Sequence, residues 1–311
     1  MRHNVHRPGP RDEWHAYRQA VAGHPSETRE FLIVMSLVYA CIAPHGEPVI
    51  APLVPPSKRD RYLQTTRAMQ RLAREIRALK PHIIVIATPH NLRLRGHIGV
   101  VTAENASGTL PMFGRGPARL RVRAECDLDF GDALLAEAKR RRLPAIGANY
   151  TTARGPLSNM PLDLGTLVPL WFFIQGHRVR PKLVVVTPSR EIPLSENVRF
   201  GKLIADVAEK SNKRVVFVAS GDHAQAHKKS GPYGFSRAAA RYDALMVKAI
   251  LEDDLGLALG LSPKLVQDAK PDSLWQVAML AGAAERLRLR SELLSYQVPA
   301  YYGMICAAFR G

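Results

Sequence analysis

The chain has 311 residues, 46% of them hydrophobic, and a formal net charge of +17. That length supplies a core for one large domain or two small ones, and no apolar run reaches the roughly 18 residues a membrane span requires. Three cysteines, Cys41, Cys126 and Cys306, are too few and too unpatterned for a disulfide framework or a cysteine-based zinc site. The N-terminal stretch lacks the apolar core of a signal peptide, so a cytoplasmic protein without membrane contact is expected. The basic residues are scattered, and their densest runs, Lys139–Arg142 and Arg286–Arg290, fall on predicted helices. Without zinc-finger spacing or basic-aromatic interleaving, the charge reads as a surface that attracts small anions, and no nucleic-acid partner is expected.

Residues 1–34 are polar and weakly periodic and read as a loose extension to a domain at 35–311. Within the domain, strands and helices alternate. Leu32–Ile42 is a predicted strand, and Asp60–Leu79 a helix with Leu63, Met69, Leu72, Ile76 and Leu79 at helical spacing. His82–Ala87 and Ile98–Thr102 are strands, followed by a Gly/Pro-rich loop through Pro117. Leu120–Cys126 alternates as a strand does, Phe130–Arg141 is helical, and Ala145–Asn149 is a short strand. Thr166–Ile174 is apolar and helical or mixed. Leu183–Val186 and Val215–Ala219 are β-branched runs typical of central strands, with the helix Asn197–Lys210 between them. Ser236–Glu252 and Ser273–Arg288 are helices, and Ala300–Ala308 closes the chain as a strand. This order predicts a single-domain, three-layer α/β/α sandwich around a mostly parallel or mixed sheet. In such sheets, functional residues gather beyond the C-terminal ends of the strands.

Two strands end alike. Ser36–Gly46 reads SLVYACIAPHG and His82–Asn91 reads HIIVIATPHN, so His45 and His90 each come directly after a proline at a strand end. Each is either a hydrogen-bonded structural histidine or half of a metal site. In Val218–Phe235, VASGDHAQAHKKSGPYGF, a strand ends in Ser-Gly-Asp, and His223 and His227 stand four apart beyond it, which on a helix puts them on one face. Asp272, in AKPDSLWQ, is either a helix N-cap or a third ligand. Two imidazoles and a carboxylate make the facial triad of non-haem iron(II) enzymes, and zinc would accept the same set.

These segments together resemble the class III extradiol ring-cleavage dioxygenases, the superfamily of the protocatechuate 4,5-dioxygenase β chain (LigB-like), and within it the branch related to the Memo proteins. The matching pieces are IAPHG at Ile42–Gly46, ATPHN at Ala87–Asn91, LDLGTLVPL at Leu162–Leu170, SGDHAQAH with GPYGF at Ser220–Phe235, and KPDSLWQVAMLAGA at Lys270–Ala283. The resemblance implies that His45 and His90 are the histidine ligands and that Asp272 stands at the third ligand position. It departs at two places: relatives commonly carry histidine where this chain has Leu164 and Gln225. In ring-cleaving relatives those histidines contact substrate and dioxygen and move protons. Leucine can do neither, and glutamine can hydrogen-bond but not act as a base.

The resemblance therefore implies an Fe(II)-dependent extradiol dioxygenase acting on a small aromatic diol and O2, with Zn or Mn as other occupants and a homo-oligomeric assembly. His223, His227 and Tyr233 are the catalytic candidates, and Leu164, Gln225 and Asp222 are expected in the substrate pocket. The alternative is a metal-binding, Memo-like paralogue that kept the fold and lost ring cleavage. A zinc hydrolase is a third reading, against which no carboxylate base stands out near the histidines.

Overall fold

A computed structural model describes residues 36–116 and 118–311. The expected extension at 1–34 and the start of the first predicted strand, Leu32–Met35, lie outside the described residues. The chain folds as a mixed α/β sandwich. Its main sheet has eight strands in the order β10-β11-β1-β9-β2-β8-β3-β6. These are β1 (Leu37–Ala43), β2 (Ile83–Ala87), β3 (Ile98–Val101), β6 (Ala145–Ala148), β8 (Lys182–Thr187), β9 (Val215–Ser220), β10 (Arg290–Gln297) and β11 (Met304–Arg310). The four central neighbours β1, β9, β2 and β8 are mutually parallel. Antiparallel β11 joins β1 on one side, and antiparallel β3 joins β8 on the other.

The central strands are near-continuous apolar runs because both faces are covered. Along β2, Ile83, Val85 and Ala87 enter one core, while Ile84 and Ile86 enter the other. On the first face lie α2 (Leu128–Arg140), α4 (Leu194–Ser211), α5 (Arg237–Leu251), α6 (Pro263–Ala269) and α7 (Leu274–Leu287). On the second lie α1 (Leu63–Leu79), α3 (Leu164–Phe173) and a three-stranded sheet of β4 (Asn105–Pro111), β5 (Arg119–Glu125) and β7 (Asn159–Pro161). Among the described residues, no helix is long and apolar enough to cross a membrane.

The structure departs from the expected elements at several places. β4 lies inside the Gly/Pro-rich stretch predicted as loop: NASGTLP has little strand propensity, and pairing with β5 along its whole length makes it a strand. β10 is an additional strand, because RSELLSYQ is a half-buried edge strand whose pattern hides its partner β11. The last strand runs Met304–Arg310, with residues 300–303 turned aside to meet the loop after β9.

Candidate metal centre

The register aligns the strand ends. Ala43 of β1 pairs with Ser220 of β9, and Ala87 of β2 stands beside Ala219 of β9 and Val186 of β8. The loops leaving these four strands therefore emerge at one edge, and they carry His45, Asp222, His90 and Arg190 there. Gly221 lets the β9 exit pass against the start of α7, where a Cβ would lie 2.6 Å from Ser273 Cα. That approach brings Asp272, just ahead of α7, to the histidines.

His45 Nε2 lies 3.1 Å from His90 Nε2, and Asp272 Oδ2 is 3.4 and 3.3 Å from these two nitrogens. Three donors held about 2.1 Å from one cation stand about 3.0–3.4 Å apart at octahedral to tetrahedral angles. The spacing fits a divalent ion. The donor chemistry fits as well, since Asp272 Oδ1 is buried without a partner among the described residues. His45 and Asp272 are buried, whereas His90 is half exposed at the mouth. Asp272 does not cap α7; the helix has no side-chain cap bond, and the carboxylate faces the imidazoles beside the positive helix end.

The surroundings orient these groups. His45 Nδ1 is 3.1 Å from Ser220 Oγ, so when Nε2 offers its lone pair to a cation the Nδ1–H donates to serine. The His45 backbone N–H donates to Asp222 Oδ1 at 3.2 Å. Gln225 Nε2 donates to Asp272 Oδ2 at 2.8 Å. Beside His90, Thr88 Oγ1 donates to Asp163 Oδ2 at 2.5 Å and Asn91 Nδ2 reaches Asp163 Oδ1 at 3.4 Å, so the LDLG segment braces the Pro-His loop. Burial would lower the His45 pKa, but Asp222 and Asp272 outweigh it and raise it to about 9. Burial pushes the Asp222 carboxyl up to about 6 against the pull of His45. Against its own burial, Asp272 is held well below the carboxylate range by His45 and His90.

An open cleft of about 510 Å³ leads to the triad and exposes His90, Asp272, Gln225 and Tyr233 together. Leu164 begins α3, is partly exposed, and is not among the residues lining that cleft. His223 and His227 do not share a helix face. Residues 221–226 are irregular, because the backbone donors of this loop are drawn to different partners, Gly303, Ala269 and Ala43 among them. His223 is buried with Nδ1 3.1 Å from Ser273 Oγ and Nε2 unpartnered among the described residues, and burial pushes its pKa down to about 4.

His227 turns to Asp243, a residue missed in the sequence. Asp243 is fully buried on α5 and accepts from His227 Nε2 at 2.8 Å, Tyr296 Oη at 3.0 Å and the Ala224 N–H at 2.9 Å. Its one signal was a carboxylate among Tyr242, Met246 and Ala239 on an otherwise apolar helix face. Asp243→Asn would aim an NH2 at two donors or leave them unpaired, at a cost of about 2–3 kcal/mol. A midpoint of thermal unfolding lower by roughly 4 °C is expected from calorimetry.

In this mixed α/β sandwich, two parallel strands deliver the imidazoles and the start of α7 delivers the carboxylate to one point, a set of donors that could hold one metal ion. The chain belongs to the family described as the catalytic LigB subunit of aromatic ring-opening dioxygenase, which it matches over residues 39–307. It is 26% identical over 263 residues to Protein CA_C1420 of Clostridium acetobutylicum, covering 85% of this chain and 55% of that protein. The chain thus spans about half the length of this curated relative. Its fold is similar to the crystal structure of the uncharacterized protein JW3007 from Escherichia coli K12, with a TM-score of 0.55 at 15% identity, over 87% of this chain and 99% of that one.

Proposed function

We propose that this protein is a metal-dependent dioxygenase that opens the ring of a catechol-type diol with O2. The convergence of His45, His90 and Asp272 at 3.1–3.4 Å, in a chain of the ring-opening dioxygenase family, carries the reading. Fe(II) is the proposed occupant, with Zn or Mn as other ions the donors accept; it would supply a Lewis acid with open positions for diol and dioxygen. Gln225 keeps the Asp272 carboxylate aimed at the imidazoles. Asp222, which accepts from the His45 backbone N–H and stands 3.7 Å from its Nε2, would hold that imidazole in place. His223 is uncharged at neutral pH and offers hydrogen bonding rather than acid catalysis. Tyr233 lines the cleft and would be a further donor there. Fe(II) loading without air, then a catechol panel and oxygen, is expected to give a yellow ring-opened product. Bound iron with no product from any catechol would contradict the reading.

A second reading is a metal-binding paralogue without ring cleavage. It is favoured by Leu164 and Gln225, which supply no acid or base at two positions where the resemblance places histidine. A missing general acid or base costs about 10²–10⁴-fold in rate. Leu164→His with Gln225→His is expected to raise turnover about 100-fold in steady-state oxygen uptake. Activity in the double variant alone would identify the parent as a decayed enzyme.

A further inference from the structure

The solvent face of the small three-stranded sheet carries a concavity of about 530 Å³, which shares no lining residue with the cleft over the triad. The alternation RLRVRAE along β5 sends Leu120, Val122 and Ala124 into the core and leaves Arg121 and Arg123 outside. Across the strand pair, Thr109 of β4 faces Arg121 and Ser107 faces Arg123. Ser107 Oγ donates to Asn159 Oδ1 of β7 at 2.9 Å, which leaves the Asn159 NH2 as a donor. Pro156 walls one side. Its loop is fixed, since the Gly155 N–H donates to Glu104 Oε2 at 3.0 Å and the buried Ser158 Oγ accepts from the Glu104 N–H at 2.9 Å.

No carboxylate lines this concavity. Among the described residues, Arg121 has no hydrogen-bond or ion-pair partner, and Arg123 has one long contact, Nη2 to Asn105 Oδ1 at 3.4 Å. Glu104 is turned to Gly155 and, at 3.9 Å, to Arg154. Two arginines two residues apart on one strand leave the backbone about 7 Å apart, so both long side chains reach one anion between them. A phosphate monoester carries nearly two charges and three strong acceptor oxygens, enough for two forks. A carboxylate has two oxygens and is satisfied by one fork. The rest of the lining offers hydroxyl and amide groups and no aromatic ring, which suits a hydroxyl-bearing ligand and gives a nucleobase no face to stack on. The charge is also compact. Arg119, the next outward arginine of β5, turns to the Gly116 and Ala118 carbonyls at 3.5 and 3.3 Å, so a small ligand fits better than a long polyanion that needs a stripe of cations.

We propose that this concavity binds a phosphate monoester of a polyol, with Arg121 and Arg123 clamping the phosphate and Thr109 and Asn159 meeting the hydroxyls. The proposal is independent of the ring-opening reading. Full-length protein is titrated by calorimetry with glucose 6-phosphate and with glucose. The phosphate ester is expected to bind once per chain and at least about 100-fold more tightly than the neutral sugar, since it alone engages both guanidiniums. Arg121→Gln and Arg123→Gln should each weaken it about 10–100-fold, the worth of one charge-assisted hydrogen bond. Both side chains are exposed, so thermal unfolding should not change. Arg119→Gln should leave the affinity as it is. Sedimentation with vesicles bearing phosphatidylinositol 4-phosphate tells a lipid headgroup from a free sugar phosphate. Capture that requires both arginines supports the site with a headgroup as its ligand, and binding of the free ester without capture supports it with a soluble one. Binding of neither, glucose bound as tightly as its phosphate, or an affinity that survives both Arg121→Gln and Arg123→Gln would overturn the proposal.

Discussion

His45→Ala is expected to abolish tight metal binding while the chain still folds. His45 is the buried member of the pair of imidazoles, and its Nε2 is within 3.4 Å of both other donors, so its loss leaves one half-exposed histidine and one carboxylate. Partners that merely orient ligands are worth about 10–100-fold in metal affinity; loss of a donor itself should exceed about 100-fold. A metal present at 100 times its dissociation constant stabilises the folded state by about 2.7 kcal/mol, so wild-type protein should gain thermal stability on metal addition and the variant should not. His97→Ala is the control, since His97 is exposed and its ring bonds the nearby Arg95 carbonyl. A variant at His45 that keeps one tight metal would remove this residue from the centre.

Gly282→Ala is expected to be among the most destabilising single-methyl changes in the chain. The α4 and α7 helices touch through glycines on both sides. A Cβ at Gly282 would meet the Val198 carbonyl carbon at 2.9 Å and the Lys202 nitrogen at 3.0 Å, and one at Gly201 would meet the Met279 carbonyl carbon at 2.6 Å. The obstructing atoms are backbone, so no rotamer relieves them and the helices must separate. Overpacking costs about 1–3 kcal/mol; at the upper end, a midpoint lower by roughly 5 °C is expected for a chain of this size. The effect should reach the site as well, because Asp272 and Ser273 lead directly into α7. Weaker metal binding together with the lower midpoint is the expected signature, and a methyl tolerated without change in either would show that the helices are not in contact there.

The strand-end histidines were legible because a β-branched run closed by Pro-His states both burial and exit in consecutive residues. Asp272 was less so: an aspartate before a helix has an ordinary capping role, and only the folded arrangement shows that its carboxylate faces the imidazoles instead. Gln225 stands out in the sequence for its chemistry, but its hydrogen bond to Asp272 spans 47 residues and leaves no local mark. Asp163 and Arg190 depend on distant placement: Asp163 gains its meaning from Thr88 and Asn91, which bond it from the exit of β2, and Arg190 from the register that lays β8 beside β2. Asp243 likewise gains its meaning from distant partners, the loop after β9 and Tyr296 of β10. The same reason hid β4 and β10, whose residues are weak strand formers held by their partners. The helical reading of His223 and His227 failed because spacing alone does not show that backbone donors in 221–227 are claimed by other segments.

A metal held by His45, His90 and Asp272 that opens an aromatic ring with dioxygen can be tested directly. The experiment is a single turnover of Fe(II)-loaded protein with a catechol under ¹⁸O2, read by mass spectrometry. One O2 consumed per diol is expected, with a ring-opened product carrying both labelled oxygen atoms. Metal bound at full occupancy, with the diol recovered unlabelled and intact, would contradict it.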